Sequence, residues 1–141
     1  LLGSEMCIRD SYAHHPKELD ACIGSVRELY PGRTITGVFQ PHLFSRTQDF
    51  YEEFAKALLT SDMLIVAKIY PAREKPIEGV TSRLISDASS RFGHKNVQYV
   101  DDVAQIPSIV AKYAQPGDVV FTVGAGDIYK TAPKILEAIG K

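Results

Sequence analysis

The residues best suited to chemistry are histidines and one arginine that stand near the ends of short apolar runs. His14 and His15 come immediately before Pro16, and His42 lies one helical turn before Arg46. Neutral imidazoles donate or accept hydrogen bonds and titrate near physiological pH. A planar guanidinium binds a carboxylate or a phosphate through two parallel hydrogen bonds. These residue types therefore indicate a site for an anionic ligand.

Each feature also has a structural interpretation. The histidine pair could consist of loop residues that pack or are solvated, and this interpretation weighs evenly with ligand binding. When Arg46 is considered alone, an arginine on the solvated surface is the commoner interpretation. Arg46 lies at a predicted helix start, however, where backbone N–H groups attract anions. Placed opposite the histidine pair on one sheet edge, Arg46 favours the functional interpretation.

A third interpretation makes His14, His15 and His42 ligands of a metal ion, and their chemistry suits zinc. Adjacent histidines rarely coordinate one ion together, and no fixed ligand spacing is present. We therefore predict no metal site.

Two further segments are ambiguous. Residues 70–76 (YPAREKP) form a charged, proline-punctuated loop that is either simply solvated or faces a substrate through Arg73. Residues 124–126 (GAG) allow a close approach of the backbone or a tight turn. They are not a complete GxGxxG fingerprint, which would open the first strand–helix unit. Asp101 or Asp102 is expected to cap a helix.

The elements that position these residues alternate between helix and strand. Residues 63–69 form a nearly continuous apolar run, which suits a strand covered on both faces. The spacing of Ser45 and Gln48 predicts a capping box at the start of the second helix. The alternation predicts an α/β fold with a mostly parallel sheet, right-handed crossovers and helices on both faces. Only residues 6–8 are available for an initial strand.

This topology places the candidate residues together. Ligands of open α/β sheets bind outside the carboxyl ends of the strands. The loops at those ends contain three of the four histidines together with Arg46 and Arg73. The loops at the opposite ends of the strands are plain turns that contain one histidine, His94. This asymmetry predicts the location of the site without any family knowledge.

Composition excludes several classes of protein. The chain has 141 residues and a net charge of −1, which favours one domain and argues against a nucleic-acid surface. No apolar run approaches the roughly 20 residues of a membrane span. Two cysteines cannot form a disulfide framework, which is consistent with a protein of the reducing cytoplasm.

The sequence also lacks a GxxxxGK[ST] loop, the motif that cradles a triphosphate. Residues 1–11 are interpreted as a non-native leader or the remnant of a first strand.

Four motifs then resemble a known family in order and spacing. Residues 12–16 (YAHHP) resemble the DDY[GA]HHP signature that opens the third domain of UDP-N-acetylmuramate–L-alanine ligases, in the Mur ligase family. Residues 38–47 (VFQPHLFSRT) look like the VFQPH..(S/T)RT segment of that family. Residues 69–82 (IYPAREKPIEGVTS) look like its YPAREkPIxGVTS loop, and residues 122–128 (TVGAGDI) look like its GAG(D/N)I strand end. The resemblance covers residues 12–141 and identifies them as a Mur ligase carboxy-terminal domain, for which it implies a Rossmann-like fold.

The resemblance implies a function. Such ligases phosphorylate a carboxylate with Mg-ATP, and an amine then attacks the acyl phosphate. ATP, UDP-N-acetylmuramate and L-alanine are then the substrates of a full enzyme with an amino-terminal sugar-nucleotide domain and a central ATPase domain. The motifs imply catalytic roles for His14, His42 and Arg46, and substrate binding by Tyr12, His15, Arg46 and Arg73. The chain alone is expected to be inactive and to bind neither ATP nor Mg tightly.

Two positions depart from the family pattern. The signature has two acidic residues before the tyrosine. Here the first position holds Asp10 and the second holds Ser11, which is not acidic, so nucleotide binding at these positions is in doubt. Some relatives carry an arginine where this chain has Leu43, which removes one anion contact. A related murein-peptide ligase domain, a non-catalytic nucleotide- or anion-binding module and a metal-dependent hydrolase stay open as alternatives.

Overall fold

A parallel sheet forms the centre of the molecule. The computed structural model describes residues 6–11, 15–115, 117–124 and 128–139. Within them, five strands pair in the order β1-β5-β2-β3-β4, and every pair is parallel. The strands are β1 (Met6–Ser11), β2 (Ile35–Phe39), β3 (Met63–Ala67), β4 (Val97–Val100) and β5 (Asp118–Val123). The predicted parallel α/β sheet is confirmed.

Helices cover both faces of this sheet. They are α1 (Pro16–Leu29), α2 (Phe44–Ala57), α3 (Arg83–Arg91), α4 (Ile106–Tyr113) and α5 (Thr131–Ile139). Buried side chains of α1, α2 and α3 share one core, and those of α4 and α5 share the other. The first three helices therefore lie on one face and the last two on the opposite face, as expected for right-handed crossovers.

The strands supply both cores because successive side chains point to opposite faces. In β3, Leu64 and Val66 enter the core under α1–α3, whereas Ile65 and Ala67 enter the core under α4 and α5. All four side chains are fully buried. Fully burying an aliphatic side chain contributes about 1.5–3 kcal/mol. The continuous apolar run of β3 therefore has the two-sided burial that its sequence predicts.

Helix starts follow the local sequence only in part. Pro16 occupies the first turn of α1, as predicted. Asp102 caps the 3-10 turn Val103–Gln105 by accepting a hydrogen bond from the Ala104 N–H at 3.0 Å. The predicted capping box is wrong, because α2 begins at Phe44 and its N-cap is Leu43, which has no side-chain acceptor. Ser45 therefore lies inside the helix.

The carboxyl ends of the central strands form a crevice. From β2 the chain passes into α2 on one face, whereas the chain leaving β5 leads to α5 on the other. Neighbouring strands whose connections diverge in this way leave the space in which α/β proteins bind ligands. Strand β1 flanks β5, and its last two residues, Asp10 and Ser11, pair with Thr122 and Val123 at this edge.

Candidate active site

The segment that follows β2 is joined to the loop that follows β3. The Leu43 N–H donates to the Tyr70 carbonyl at 2.9 Å, and the Tyr70 N–H donates to the Pro41 carbonyl at 2.8 Å. The rings of His42 and Tyr70 stack with centroids 5.9 Å apart and an interplanar angle of 17°. Two motifs that are distant in sequence are thereby held together at the carboxyl edge.

The backbone at Leu43 is strained. Its φ is 73° and its ψ is 140°, a conformation that side-chain-bearing residues rarely adopt. The Leu43 carbonyl accepts hydrogen bonds from both the backbone N–H and the hydroxyl of Thr47, at 3.2 and 2.9 Å. Such strain persists where surrounding contacts enforce it, and it concentrates at functional sites.

Arg46 lies in the first turn of α2 and is half-buried. Its Nη1 is 3.5 Å from Nδ1 of His42, the long limit of a hydrogen bond. Among the described residues, the guanidinium has no other hydrogen-bond partner. Its remaining N–H groups are therefore available to a carboxylate or phosphate oxygen.

Glu74 occupies part of the predicted anion site. Its Oε1 accepts from the Ser45 N–H at 2.9 Å, and its Oε2 accepts from the Ser45 hydroxyl at 2.6 Å. These bonds, first the hydroxyl and then the N–H, lower the pKa of the Glu74 carboxyl. The expectation that this helix start offers its backbone N–H groups to a ligand is therefore corrected for Ser45, whose N–H has a protein acceptor.

His15 has structural partners. Its Nδ1 accepts a hydrogen bond from the Lys17 N–H at 3.3 Å, so the side chain caps α1. Its ring also lies 5.4 Å from the ring of Phe50, centroid to centroid, at an interplanar angle of 55°. These contacts join the start of α1 to α2, so His15 packs as one of its two predicted interpretations has it, whereas its role as a helix cap was not predicted.

The strand end at Gly124 approaches β2 closely. A Cβ built on Gly124 would lie 2.8 Å from the Gln40 carbonyl oxygen, nearer than side chains tolerate. The predicted close backbone approach is confirmed at this glycine. The Gln40 side chain is 4% exposed, and its Nε2 donates to the Lys68 carbonyl at 3.3 Å. Among the described residues, its buried Oε1 has no hydrogen-bond partner, an arrangement that native structures rarely keep.

A small cavity of about 120 Å³ lies beside this edge, between the carboxyl ends of β3 and β4. The Tyr99 hydroxyl donates to Asp101 at 2.8 Å, and the guanidinium of Arg83 lies 4.3 Å from the Tyr99 ring centroid. Burial first, and then the Asp101 carboxylate, raises the pKa of Tyr99. The cavity is lined by Phe44, Lys68, Ile69, Thr81, Ser82, Tyr99 and Asp101.

Polar side chains at the opposite edge of the sheet make hydrogen bonds within the fold. Nε2 of His94 lies 3.3 Å from the Ser61 hydroxyl, and Nδ1 accepts from the Asn96 N–H at 3.2 Å. Burial lowers the pKa of His94. Asp62 accepts from the Ile35 N–H at 2.7 Å and from Arg27 at 3.2 Å. These bonds connect the turns of this edge to neighbouring elements, and the edge was predicted only to consist of plain turns with one histidine.

Comparison with known proteins shows the family to which this α/β domain belongs. The family model described as "Mur ligase, glutamate ligase domain" matches residues 2–126. The chain belongs to the Mur ligase family. The family that the sequence motifs predict is therefore confirmed. The carboxyl edge described above is the carboxyl edge of the sheet of a Mur ligase domain.

Individual relatives refine this assignment. The chain is 48% identical over 143 residues to the UDP-N-acetylmuramate–L-alanine ligase of Streptomyces avermitilis, covering all of this chain and 31% of the relative. It is 41% identical over 132 residues to the ligase of that name from Salinibacter ruber, covering 94% of this chain and 28% of the relative. The chain thus spans under a third of these relatives.

The fold has a solved counterpart. The crystal structure of the UDP-N-acetylmuramate–alanine ligase of Thermotoga maritima superposes with a TM-score of 0.78 at 24% identity. The match covers 97% of this chain and 27% of that protein. At this identity the likeness concerns the fold, and it confirms the predicted architecture of a Mur ligase domain. Within the described ranges, every helix is too short or too polar to cross a membrane.

The predicted site residues of this Mur ligase domain fall into distinct groups. His42 and Arg46 are brought together, and His15 lies at the same edge as a helix cap. Arg73 is exposed, and no side-chain partner for it is found among the described residues. For Asp10 and Ser11 only the backbone is described, and Tyr12 and His14, with their predicted roles, lie outside the described residues. The origin of residues 1–11 stays a prediction.

In the part of the chain that the structure describes, no three His, Cys, Asp or Glu side chains are grouped so that they could hold a metal ion. His14, one of the three histidines considered for zinc, lies outside that part.

The contact of Glu74 with the start of α2 was not predicted from the sequence, in which residues 70–76 form one charged loop with a proposed role only for Arg73. The available signal was an acidic residue in a loop that leaves the strand next to β2, together with an apolar N-cap on α2. Neither feature is informative until the two loops are known to be neighbours.

Proposed function

We propose that this chain is the carboxy-terminal domain of an ATP-dependent ligase that joins L-alanine to UDP-N-acetylmuramate through an acyl phosphate, in the cytoplasmic stage of peptidoglycan synthesis. The observation that carries the proposal is 41–48% identity, across 94–100% of the chain, to proteins named UDP-N-acetylmuramate–L-alanine ligase. The four sequence motifs lie within this matched region. Three of them meet at the carboxyl edge of the sheet.

Arg46 is the residue that we propose to act in this reaction. A guanidinium at the carboxyl edge can neutralise a substrate carboxylate or the charge that develops on a phosphoryl group. His42, 3.5 Å away, orients it, and His14 and Tyr12 are proposed to complete the amino-acid region. Arg73, exposed on the adjoining loop, is proposed to border the same region. Removing one preorganised donor typically lowers the rate about 10²–10³-fold.

ATP and Mg are proposed as requirements of the whole ligase. The sequence lacks a P-loop, and the described residues contain no cluster suited to a metal ion. We therefore propose that tight binding of Mg-ATP needs residues outside this chain, which spans under a third of the relatives it matches. The triphosphate site is assigned to the part of the ligase that lies outside this chain, and Asp10 and Ser11 are proposed at most to border the nucleotide. By itself the chain is proposed to be inactive.

A chimaera tests the proposal. This chain replaces the matching segment of the Streptomyces avermitilis ligase, to which it is 48% identical. ADP release is then measured with UDP-N-acetylmuramate, in the presence and absence of L-alanine. We expect alanine-dependent turnover that falls at least tenfold in Arg46→Ala, as expected for a lost electrostatic donor.

Arg91→Ala serves as the matched control, because this exposed arginine lies at the far end of α3. Turnover that ignores Arg46 would leave the family in place and refute the assigned role of Arg46. A folded chimaera without alanine-dependent turnover would count against the proposed function itself.

Two alternatives are tested with the same material. Release of ADP that depends on murein tripeptide rather than on L-alanine would favour a murein-peptide ligase, whose histidine signature is similar. Tight binding of ADP by the isolated chain, measured by calorimetry, would favour a non-catalytic binding module.

A further inference from the structure

Helix α2 begins without a cap of its own. Its N-cap, Leu43, has an apolar side chain, and no side-chain hydrogen bond is made from this position. The first N–H groups of a helix have no partner within the helix and need an external acceptor. Here the Glu74 carboxylate supplies one from 29 residues further along the chain.

The contact is bidentate. One carboxylate oxygen accepts from the Ser45 N–H at 2.9 Å, and the other accepts from the Ser45 hydroxyl at 2.6 Å. A negative charge is also favourable beside a helix amino terminus. The lowered pKa of Glu74 agrees with these contacts. The carboxylate therefore fixes both the backbone and the side chain of the residue that directly precedes Arg46.

The rest of the loop reinforces this connection. Tyr70, at the start of the loop, makes the backbone bonds to Pro41 and Leu43, and the Glu74 N–H donates to the Pro71 carbonyl at 2.9 Å. The loop and the first turn of α2 consequently form one unit. In contrast, the Arg46 side chain has one hydrogen-bond contact within the described residues, the long 3.5 Å approach to His42. The position of its guanidinium therefore depends on the backbone beneath it.

We propose that Glu74 is a positioning residue of the ligase site, which holds the first turn of α2 and thereby places Arg46 for the reaction. The inference rests on the proposed function, in which Arg46 acts on substrate charge. It assigns Glu74 no contact with substrate. Its effect on turnover should therefore require Arg46.

The test compares Glu74→Ala and Glu74→Gln in the chimaera, each with Arg46 intact and with Arg46→Ala. In the intact background, Glu74→Ala should lower kcat for alanine-dependent ADP release at least tenfold, and in the Arg46→Ala background less than about twofold, since residues that act as a unit are non-additive. Glu78→Ala is the matched control, because Glu78 is an exposed glutamate of the same loop. Its kcat should equal that of the parent.

Glutamine distinguishes position from charge. Its amide can still accept from the Ser45 N–H and donate to the Ser45 oxygen, so Glu74→Gln should recover most of the lost kcat. It also serves if Glu74→Ala does not fold. The inference is overturned if Glu74→Ala leaves kcat unchanged, if the loss is equally large in both Arg46 backgrounds, or if glutamine is as poor as alanine.

Hydrogen exchange in the isolated chain keeps the two proposals distinguishable. Exchange of the Ser45 amide should accelerate at least tenfold in Glu74→Ala and should not change in Glu78→Ala. Unchanged Ser45 exchange would refute the positioning contact, whatever the chimaera does. Lack of turnover in the unmutated chimaera would instead refute the proposed function.

Discussion

Gly124→Ala probes the closest backbone approach at the site edge. Gly124 follows β5, directly beside the end of β2. An added Cβ would lie 2.8 Å from the Gln40 carbonyl oxygen and 3.0 Å from Cγ2 of Ile128. The Gln40 oxygen belongs to the main chain, and the Gln40 N–H is itself bound to the Val123 carbonyl at 3.0 Å. The methyl group can therefore be accommodated only if the two strand ends separate.

The expected cost follows from overpacking. Forcing a methyl group into a packed position typically costs about 1–3 kcal/mol. For a chain of this length, 1 kcal/mol corresponds to roughly 3–4 °C in Tm. We therefore expect Gly124→Ala to lower Tm by roughly 3–12 °C.

Thermal unfolding of the isolated chain, followed by circular dichroism, measures this effect. Gly24→Ala is the matched control, because Gly24 lies inside α1 and an added Cβ would meet nothing within 4 Å. Alanine is favoured over glycine in a helix by about 1 kcal/mol, so this control should raise Tm. The same glycine-to-alanine substitution should thus lower Tm at position 124 and raise it at position 24. A Gly124→Ala variant as stable as the parent would refute the close approach.

Two further predictions concern the opposite edge of the sheet. Burial lowers the pKa of His94 in the folded chain, so the stability it contributes is complete above its ordinary pKa of 6.5 and is lost as the pH falls through the lower folded value. Urea unfolding from pH 7 to 5 should therefore show a steeper loss for the parent than for His94→Gln, and equal slopes would contradict this. Asp62→Ala should cost about 1–2 kcal/mol, because the Ile35 N–H loses its acceptor. A urea midpoint equal to that of the parent would refute this expectation.

The sequence by itself determined the element types and the family. Apolar runs such as that of β3 encode a strand buried on both faces, and Pro16 encodes a helix start, because these signals act between residues close in the chain. The four motifs determined the family, since each is a contiguous string. The carboxyl-edge location of His42 and Arg46 also followed, because parallel strands end at one edge.

Only the tertiary structure decided the strand order and the fine structure of the site. Nothing in the local pattern states that β5 inserts between β1 and β2, because periodicity reports which faces are buried and not which strands are neighbours. The local pattern placed a capping box at Ser45, and the helix instead begins at Phe44 with the carboxylate of Glu74 on the Ser45 N–H.

The role of His15 as a helix cap was equally hidden, because it depends on where α1 begins and on which ring of α2 lies beside it. An unpaired N–H accepts whichever oxygen the fold brings within hydrogen-bonding distance, and residues distant in sequence can supply that oxygen. Local propensity therefore determined which elements form. Packing of distant loops determined which groups hold the site residues in place.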